Sequence, residues 1–277
     1  MKLYAMCLVK DEDDIITQTL SYAARYCEKI FVLDNGSSDS TWELVQSLSS
    51  TSSQIVPFGR TLEPYRRSLR SVVYYEVRSK LSEDDWWLIL DSDEFLAEDP
   101  RPVIAQAVRE GADVIRAWQV QFRYTYEDLR AWEEGKDSRN DWIFHRRRYY
   151  LIDWQERRLF RNRRDLHWAD GNVPAGLKKR CRRKILNRHY RYRDPQQISK
   201  RLRSHPSSAG KSQPHWRSKV TDPSKFEFYR DGDPWRFHLS GMMNYYSWRL
   251  KMRLRKQFRY AAATLLGNLK SDMDRAC

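Results

Sequence analysis

The chain has 277 residues, of which 40% are hydrophobic and 13% aromatic, with 11 Trp, 16 Tyr and only 10 each of Gly and Pro. That composition excludes a disordered or fibrous chain and allows one large domain, or one domain with an appendage. The formal charge of +14 is unevenly laid: residues 1–100 carry 10 Lys/Arg against 18 Asp/Glu, so the remaining 177 residues hold an excess of +22, which suits an anionic partner such as a phosphate-bearing substrate, a membrane surface or nucleic acid.

In chain order, "KLYAMCLV" is a continuous apolar run and predicts a buried strand. Asp13 or Asp14 can cap a helix whose apolar face is Ile16, Leu20, Ala23, Ala24 and Cys27. "KIFVLD" predicts a second strand, and "NGSSDS" a turn. Ser40 and Glu43 have capping-box spacing and predict a helix through Leu48. The polar link "SSTSS" leads to a short strand, "QIVPF", and residues 64–80 predict a helix after Pro64. "DWWLILD" is the next strand. Pro100 and Pro102 open a helix through Glu110, which Gly111 ends, and "ADVIRAWQVQF" predicts a fifth strand. Strands alternating with helices in this way imply an α/β fold with a mainly parallel sheet flanked by helices.

Beyond Phe122 the pattern loosens. Residues 123–142 are polar and predict loop or short helix. Residues 145–193 hold 17 Lys/Arg and four Asp/Glu interleaved with aromatics. Residues 204–236 show no clear period, and Asn244 to Leu269 predicts an amphipathic basic helix. That helix would pack on the catalytic domain or lie on an anionic membrane. The four cysteines, Cys7, Cys27, Cys181 and Cys277, form no C-x-x-C pair, which speaks against zinc. The opening residues do not read as a secretory signal, and no window is long and apolar enough to span a membrane. The expectation is a reduced cytoplasmic protein with free thiols, peripheral on the inner membrane face if the last helix binds there.

Three strand ends carry chemistry. In "WWLILDSDEFL" a buried strand closes on Asp91, with Asp93 and Glu94 behind it. In open α/β sheets ligands bind beyond the carboxyl ends of strands, and two carboxylates there can reach one hard cation, Mn²⁺ or Mg²⁺, that shares substrate phosphates. In "IFVLDNGSSDST", Asp34 can accept hydrogen bonds from a base or ribose, or simply form the turn. In "CLVKDE", Lys10 could meet a phosphate and Glu12 a ribose or base. There is no G-x-x-x-x-G-K-[ST] loop, which excludes a P-loop nucleotidase.

Together these pieces resemble glycosyltransferases of the GT-A fold, in particular the family-2-like branch. There a first strand ends in a basic residue, any residue and Glu, a second in "DNGSSDST"-like sequence, and a fourth in an Asp-X-Asp motif often extended as "DSDEF". The resemblance implies a Rossmann-like GT-A catalytic domain over residues 1–203, with a nucleotide-sugar-binding half (1–122) and an acceptor-side half (123–203). A basic, partly helical extension would follow over residues 204–277. It places Asp34 near the nucleoside, and Asp91 and Asp93 near metal and diphosphate. An Arg on the helix before the Asp-X-Asp strand is also expected; Arg66, Arg67 and Arg70 lie there, and Arg70 is favoured. "RHYRYRDPQQISKRL" matches a later segment whose His completes the metal shell, which is His189. Inverting members use a carboxylate as base; the candidates are Asp170, in "HWADGN", Asp153 and Glu156, with Asp170 favoured. The implied activity is metal-dependent transfer of a sugar from a nucleotide-sugar donor to a hydroxyl of a glycan or lipid-linked acceptor. The alternatives are a metal-dependent nucleotidyltransferase and, from the Arg–aromatic stretch, a nucleic-acid-binding protein, which leaves "DSDEF" unexplained.

Overall fold

The structure, a computed structural model, describes residues 1–204 and 215–237 together with Leu250. The basic segment from Asn244 to Leu269 lies, but for that one residue, outside the described residues, as does Cys277. The first half alternates strand and helix as expected: β1 (Leu3–Val9), α1 (Ile16–Ala23), β2 (Lys29–Asp34), α2 (Thr41–Thr51), β3 (Ile55–Arg60), α3 (Arg70–Val77), β4 (Trp86–Asp91), β5 (Glu94–Leu96), α4 (Arg101–Arg109) and β6 (Val114–Phe122). Then come α5 (Tyr126–Glu133), α6 (Ile143–Arg146), β7 (Tyr149–Arg161), β8 (Ile185–His189), α7 (Pro195–Ser204) and a two-residue strand, β9 (Glu227–Phe228).

The strands form one sheet in the order β3-β2-β1-β4-β7-β6-β8-β5, with β9 on β7. β3, β2, β1 and β4 run parallel. β7 enters antiparallel between β4 and β6, and β8 returns parallel to β6. β1 is buried along its whole length, the reason its apolar run has no polar alternation. Trp86 and Trp87 point to opposite faces of β4, as neighbours on a strand must. Trp86 joins the core beneath α1, α2 and α4, and Trp87 the core beneath α3. The Trp87 indole N–H donates to Asn162 Oδ1 at 3.0 Å, so this buried ring leaves no orphan donor. A third, aromatic core of Phe95, Phe122, Tyr150 and Tyr190 lies under β6, β7 and β8. Gly111 ends α4 at φ +62°, the left-handed conformation that favours glycine.

Two caps differ from expectation. Ser40 makes no cap to α2; the Asp39 carboxylate, one residue earlier, takes the Thr41 N–H at 3.0 Å. Neither Asp13 nor Asp14 caps α1, whose N-cap residue is Ile15 and which has no side-chain cap. Both acids are instead drawn to cations of the α7 region, Asp13 to Lys200 and Asp14 to Arg193. The described cysteines, Cys7, Cys27 and Cys181, are buried free thiols. Among the described residues no helix is long and apolar enough to cross a membrane.

Candidate active site

The parallel strands end together. Val9 is the register partner of Asp34, and Leu8 of Asp91, so the "KDE", "DNGSS" and "DSDE" segments share one carboxyl edge. The chain bends sharply after β1. Asp11 adopts φ +54°, and its Oδ1 accepts from the Ser38 N–H at 2.7 Å while its own N–H donates to Ser37 Oγ at 3.0 Å. Lys10 is left exposed on this turn. Asp34 is fully buried; its Oδ1 accepts from the N–H groups of Gly36 and Ser37, both at 2.9 Å, and from Arg60 Nε at 3.1 Å. Its Oδ2 has no hydrogen-bond partner among the described residues. One oxygen therefore builds the turn, and the other is buried and unpaired. Gly36 sits at φ +73°, the left-handed conformation that favours glycine, so a side chain there would be strained.

Asp91 and Asp93 stand in different company. Asp91 accepts from Arg70, at the start of α3, and from Arg158 Nη1 on β7 at 2.8 Å. Burial alone would raise its pKa, yet Arg158 and Arg70 hold it down at about 2. Asp93 is 4% exposed. Its Oδ2 lies 3.3 Å from His189 Nε2 and 3.1 Å from Arg201 Nη1. Against the effect of burial, His189, Arg201 and Arg193 hold this carboxyl well below the usual range. His189 arrives beside it because β8 pairs with β5, Glu94 opposite His189.

Several of these partners were not legible in the sequence. Arg158 lies at the centre: beyond Asp91 it donates to Glu94 Oε1 at 2.5 Å and Glu156 Oε2 at 2.6 Å. The Gln119 amide, with its oxygen turned to the guanidinium, accepts from Arg158 Nη2 at 3.0 Å. Glu94 is completed by Asn187 Nδ2 at 2.6 Å. Arg193, fully buried, donates to Asp14 Oδ2 at 2.6 Å, to the Tyr190 carbonyl at 3.0 Å and to Glu12. Glu12 is thus paired inside the protein, where burial pushes its carboxyl up against the pull of Arg193. Part of the basic stretch behaves likewise. Arg146, Arg147, Arg158 and Arg193 are buried in ion pairs, which removes them from any nucleic-acid surface.

Among the described residues no three His, Cys, Asp or Glu side chains converge as a cation site. Of the three expected ligands, Asp93 and His189 meet, and Asp91 faces the arginines instead. One carboxylate and one imidazole fit part of the shell of Mn²⁺ or Mg²⁺, which commonly take one or two protein ligands and leave the rest to phosphate and water. Arg70, the favoured arginine of the helix before β4, pairs with Asp91, and its Nη1 also donates to Asn172 Oδ1 at 3.1 Å. That contact draws the 167–175 loop to the site. Asp170 is exposed on this loop, whose Trp168 packs on Tyr74 at 5.6 Å.

No protein-family model matches the sequence, and no curated protein is significantly similar to it. Among solved structures the chain is similar to a mannosyltransferase from Pyrobaculum calidifontis in complex with GDP-Man and Mn²⁺, at 12% identity and a TM-score of 0.40 over 78% of this chain and 66% of that one. It is also similar to GalNAc-T7 with UDP, GalNAc and Mn²⁺, at 12% identity and a TM-score of 0.35 over 44% of this chain and 24% of that one. A third is glucosyl-3-phosphoglycerate synthase from Mycobacterium tuberculosis with Mn²⁺, UDP and glucosyl-3-phosphoglycerate, at 15% identity and a TM-score of 0.28 over 47% of this chain and 46% of that one. The chain spans less than two thirds of the length of each.

Proposed function

We propose that the protein transfers a sugar from a nucleotide-sugar donor to a hydroxyl of a glycan or lipid-linked acceptor, with a divalent cation and inversion at the anomeric carbon. The observation that carries this reading is the shared strand edge, where Asp34, with one oxygen unpaired and Arg60 on the other, stands beside the Asp91–Asp93 turn, whose two carboxylates lie among the guanidinium groups of Arg70, Arg158, Arg193 and Arg201. Asp34 Oδ2 would accept from the base or ribose. Lys10, Arg70 and Arg201 would turn to the diphosphate and neutralise charge on the departing nucleoside diphosphate. Asp93 and His189 would hold the cation, with Asp91 the third candidate; once bound, the ion would add charge neutralisation on the same phosphates. The acceptor proton goes to a carboxylate, for which Asp170, Asp153 and Glu156 are the candidates.

Thermal-shift titration with UDP-, GDP- and other nucleotide sugars, with and without Mn²⁺, tests the reading. At least one donor is expected to stabilise the protein, more so with Mn²⁺, and to be turned over with release of nucleoside diphosphate. Release of pyrophosphate would instead identify a nucleotidyltransferase.

Asp34 gives a sharper check. Loss of a hydrogen bond to a charged group costs about 1.5–3 kcal/mol, so Asp34→Ala should weaken nucleoside-diphosphate binding roughly 10- to 150-fold by calorimetry. Asp34→Asn keeps an oxygen for the Gly36 and Ser37 N–H groups. It should retain the wild-type melting temperature while still losing affinity. Unchanged affinity in both variants would take Asp34 out of the nucleoside site.

A further inference from the structure

Beyond the donor edge, the outer ends of β6 and β7 form a second polar surface. Gln121 has Leu151 as its partner on β7 and His189 as its partner on β8. Residues two apart on a strand share a face, so Gln121 and Arg123 share one face of β6, and Leu151 and Asp153 the corresponding face of β7. The β6–β7 register shifts at Trp118/Val120, beside Asp153 and Trp154. Asp153 Oδ2 lies 3.5 Å from Arg123 Nη2, and the Asp153 side chain is 14% exposed. Four buried atoms on these neighbouring residues have no hydrogen-bond partner among the described residues: Asp153 Oδ1, Gln121 Nε2, Arg123 Nε and Trp154 Nε1. Buried polar atoms are normally paired, and each unpaired one costs stability. One acceptor and three donors left open on adjacent strands complement a hydroxyl-rich molecule.

We infer that this surface is where the sugar acceptor binds, and that Asp153, rather than Asp170 or Glu156, takes the proton from the attacking hydroxyl. The inference rests on the glycosyl-transfer reading and deepens it. Glu156 is already held by the buried Arg158, and Asp170 sits on an exposed loop. Asp153 is separated from His189 by β6, two strand spacings across and two residues along, or roughly 12 Å, which leaves room for the transferred sugar between the diphosphate and the acceptor. In the step, the acceptor O–H bond breaks and its proton passes to an Asp153 carboxylate oxygen. The acceptor oxygen bonds to the anomeric carbon as the bond from that carbon to phosphate breaks, and the electron pair leaves with the nucleoside diphosphate.

Burial raises the Asp153 carboxyl to about 7 although Arg123 opposes the shift, close to the pH at which a general base works best. Arg123 in turn faces Arg191 and Tyr192. Turnover should therefore rise with pH along a limb centred near 7. The stability sign is the opposite. A carboxyl raised on folding binds its proton more tightly in the folded state, so its contribution is full below about pH 4 and is lost as pH rises through 7.

The test compares Asp153→Asn with Asp170→Asn, using the nucleotide sugar that most stabilises the wild type and reading release of nucleoside diphosphate with water as acceptor. Asp153→Asn is expected to lower turnover roughly 10²- to 10⁴-fold, to flatten the limb near pH 7, to remove the matching fall in melting temperature, and to leave nucleoside-diphosphate affinity intact. If the nucleotide binds and Asp153→Asn keeps the wild-type rate and pH profile, or if only Asp170→Asn loses turnover, the inference is overturned and the transfer reading stands. If no nucleotide or nucleotide sugar binds the wild type, both fall.

Discussion

Asp93→Ala is expected to lower sugar transfer and donor hydrolysis by roughly 10²- to 10³-fold, the scale seen when a group that stabilises transition-state charge is removed, while the protein stays folded. The reason lies in its neighbours. Asp93 meets His189 and Arg201 on one oxygen, so its loss would free the imidazole and leave the proposed cation under-coordinated beside the diphosphate. The fold should survive because Arg193, the wholly buried cation nearby, keeps Asp14, Glu12 and the Tyr190 carbonyl. Asp91→Asn should be nearly as inactive, since Arg70 and Arg158 would lose the charge that aligns them. Circular dichroism and melting temperature report the fold, and nucleoside diphosphate release reports turnover. Near-wild-type turnover in either variant, or full wild-type turnover in excess EDTA, would show that these carboxylates do not hold a required cation.

The strand ends that build the donor edge could be read directly because each is a buried apolar run that stops at an acid, as at "KIFVLD" and "WWLILD". β7 could not. Its inward positions include Glu156 and Arg158, which satisfy each other and the Asp91–Glu94 turn. A strand buried by ion pairs shows no apolar alternation, and the segment read as one more piece of a basic stretch. Arg193 was hidden for a different reason. Its partners Glu12 and Asp14 lie about 180 residues earlier in the chain, and no local pattern carries a pairing at that distance. The same pairing explains the misread start of α1, where Asp14 has the composition of a cap but a guanidinium takes both of its oxygens. At α2, Ser40 lost to Asp39 because the carboxylate reaches the Thr41 N–H and hydroxyl together. Local sequence thus revealed which acids close the strands, and long-range charge pairing decided which of them remain open to a ligand.

That pairing makes Arg158 the residue whose loss should cost most stability. Arg158→Met keeps much of the volume but removes the one cation shared by Asp91, Glu94 and Glu156. Breaking a buried charge network from one side costs about 3–5 kcal/mol. The lower end is expected here, because Glu94 has an escape. Burial and its acidic neighbours already push its carboxyl well above the usual range against the pull of Arg158, so without the guanidinium it takes up a proton instead of remaining a buried unpaired charge. A loss of 3 kcal/mol in a chain of this size lowers the melting temperature by about 6–12 °C. The pH dependence separates this from simple packing loss. Asp91 is depressed to about 2, so its contribution is present above about pH 4 and is lost as pH falls through 2. With Arg158 gone, only Arg70 depresses it, and the acid transition should move to higher pH. The gap in stability between wild type and variant should then close as the pH is lowered and these carboxyls protonate. Thermal melts at pH 3, 5 and 7 give both readings. A melting temperature within 2 °C of wild type at pH 7, or a gap that does not narrow towards pH 3, would mean that Arg158 does not hold these three carboxylates together.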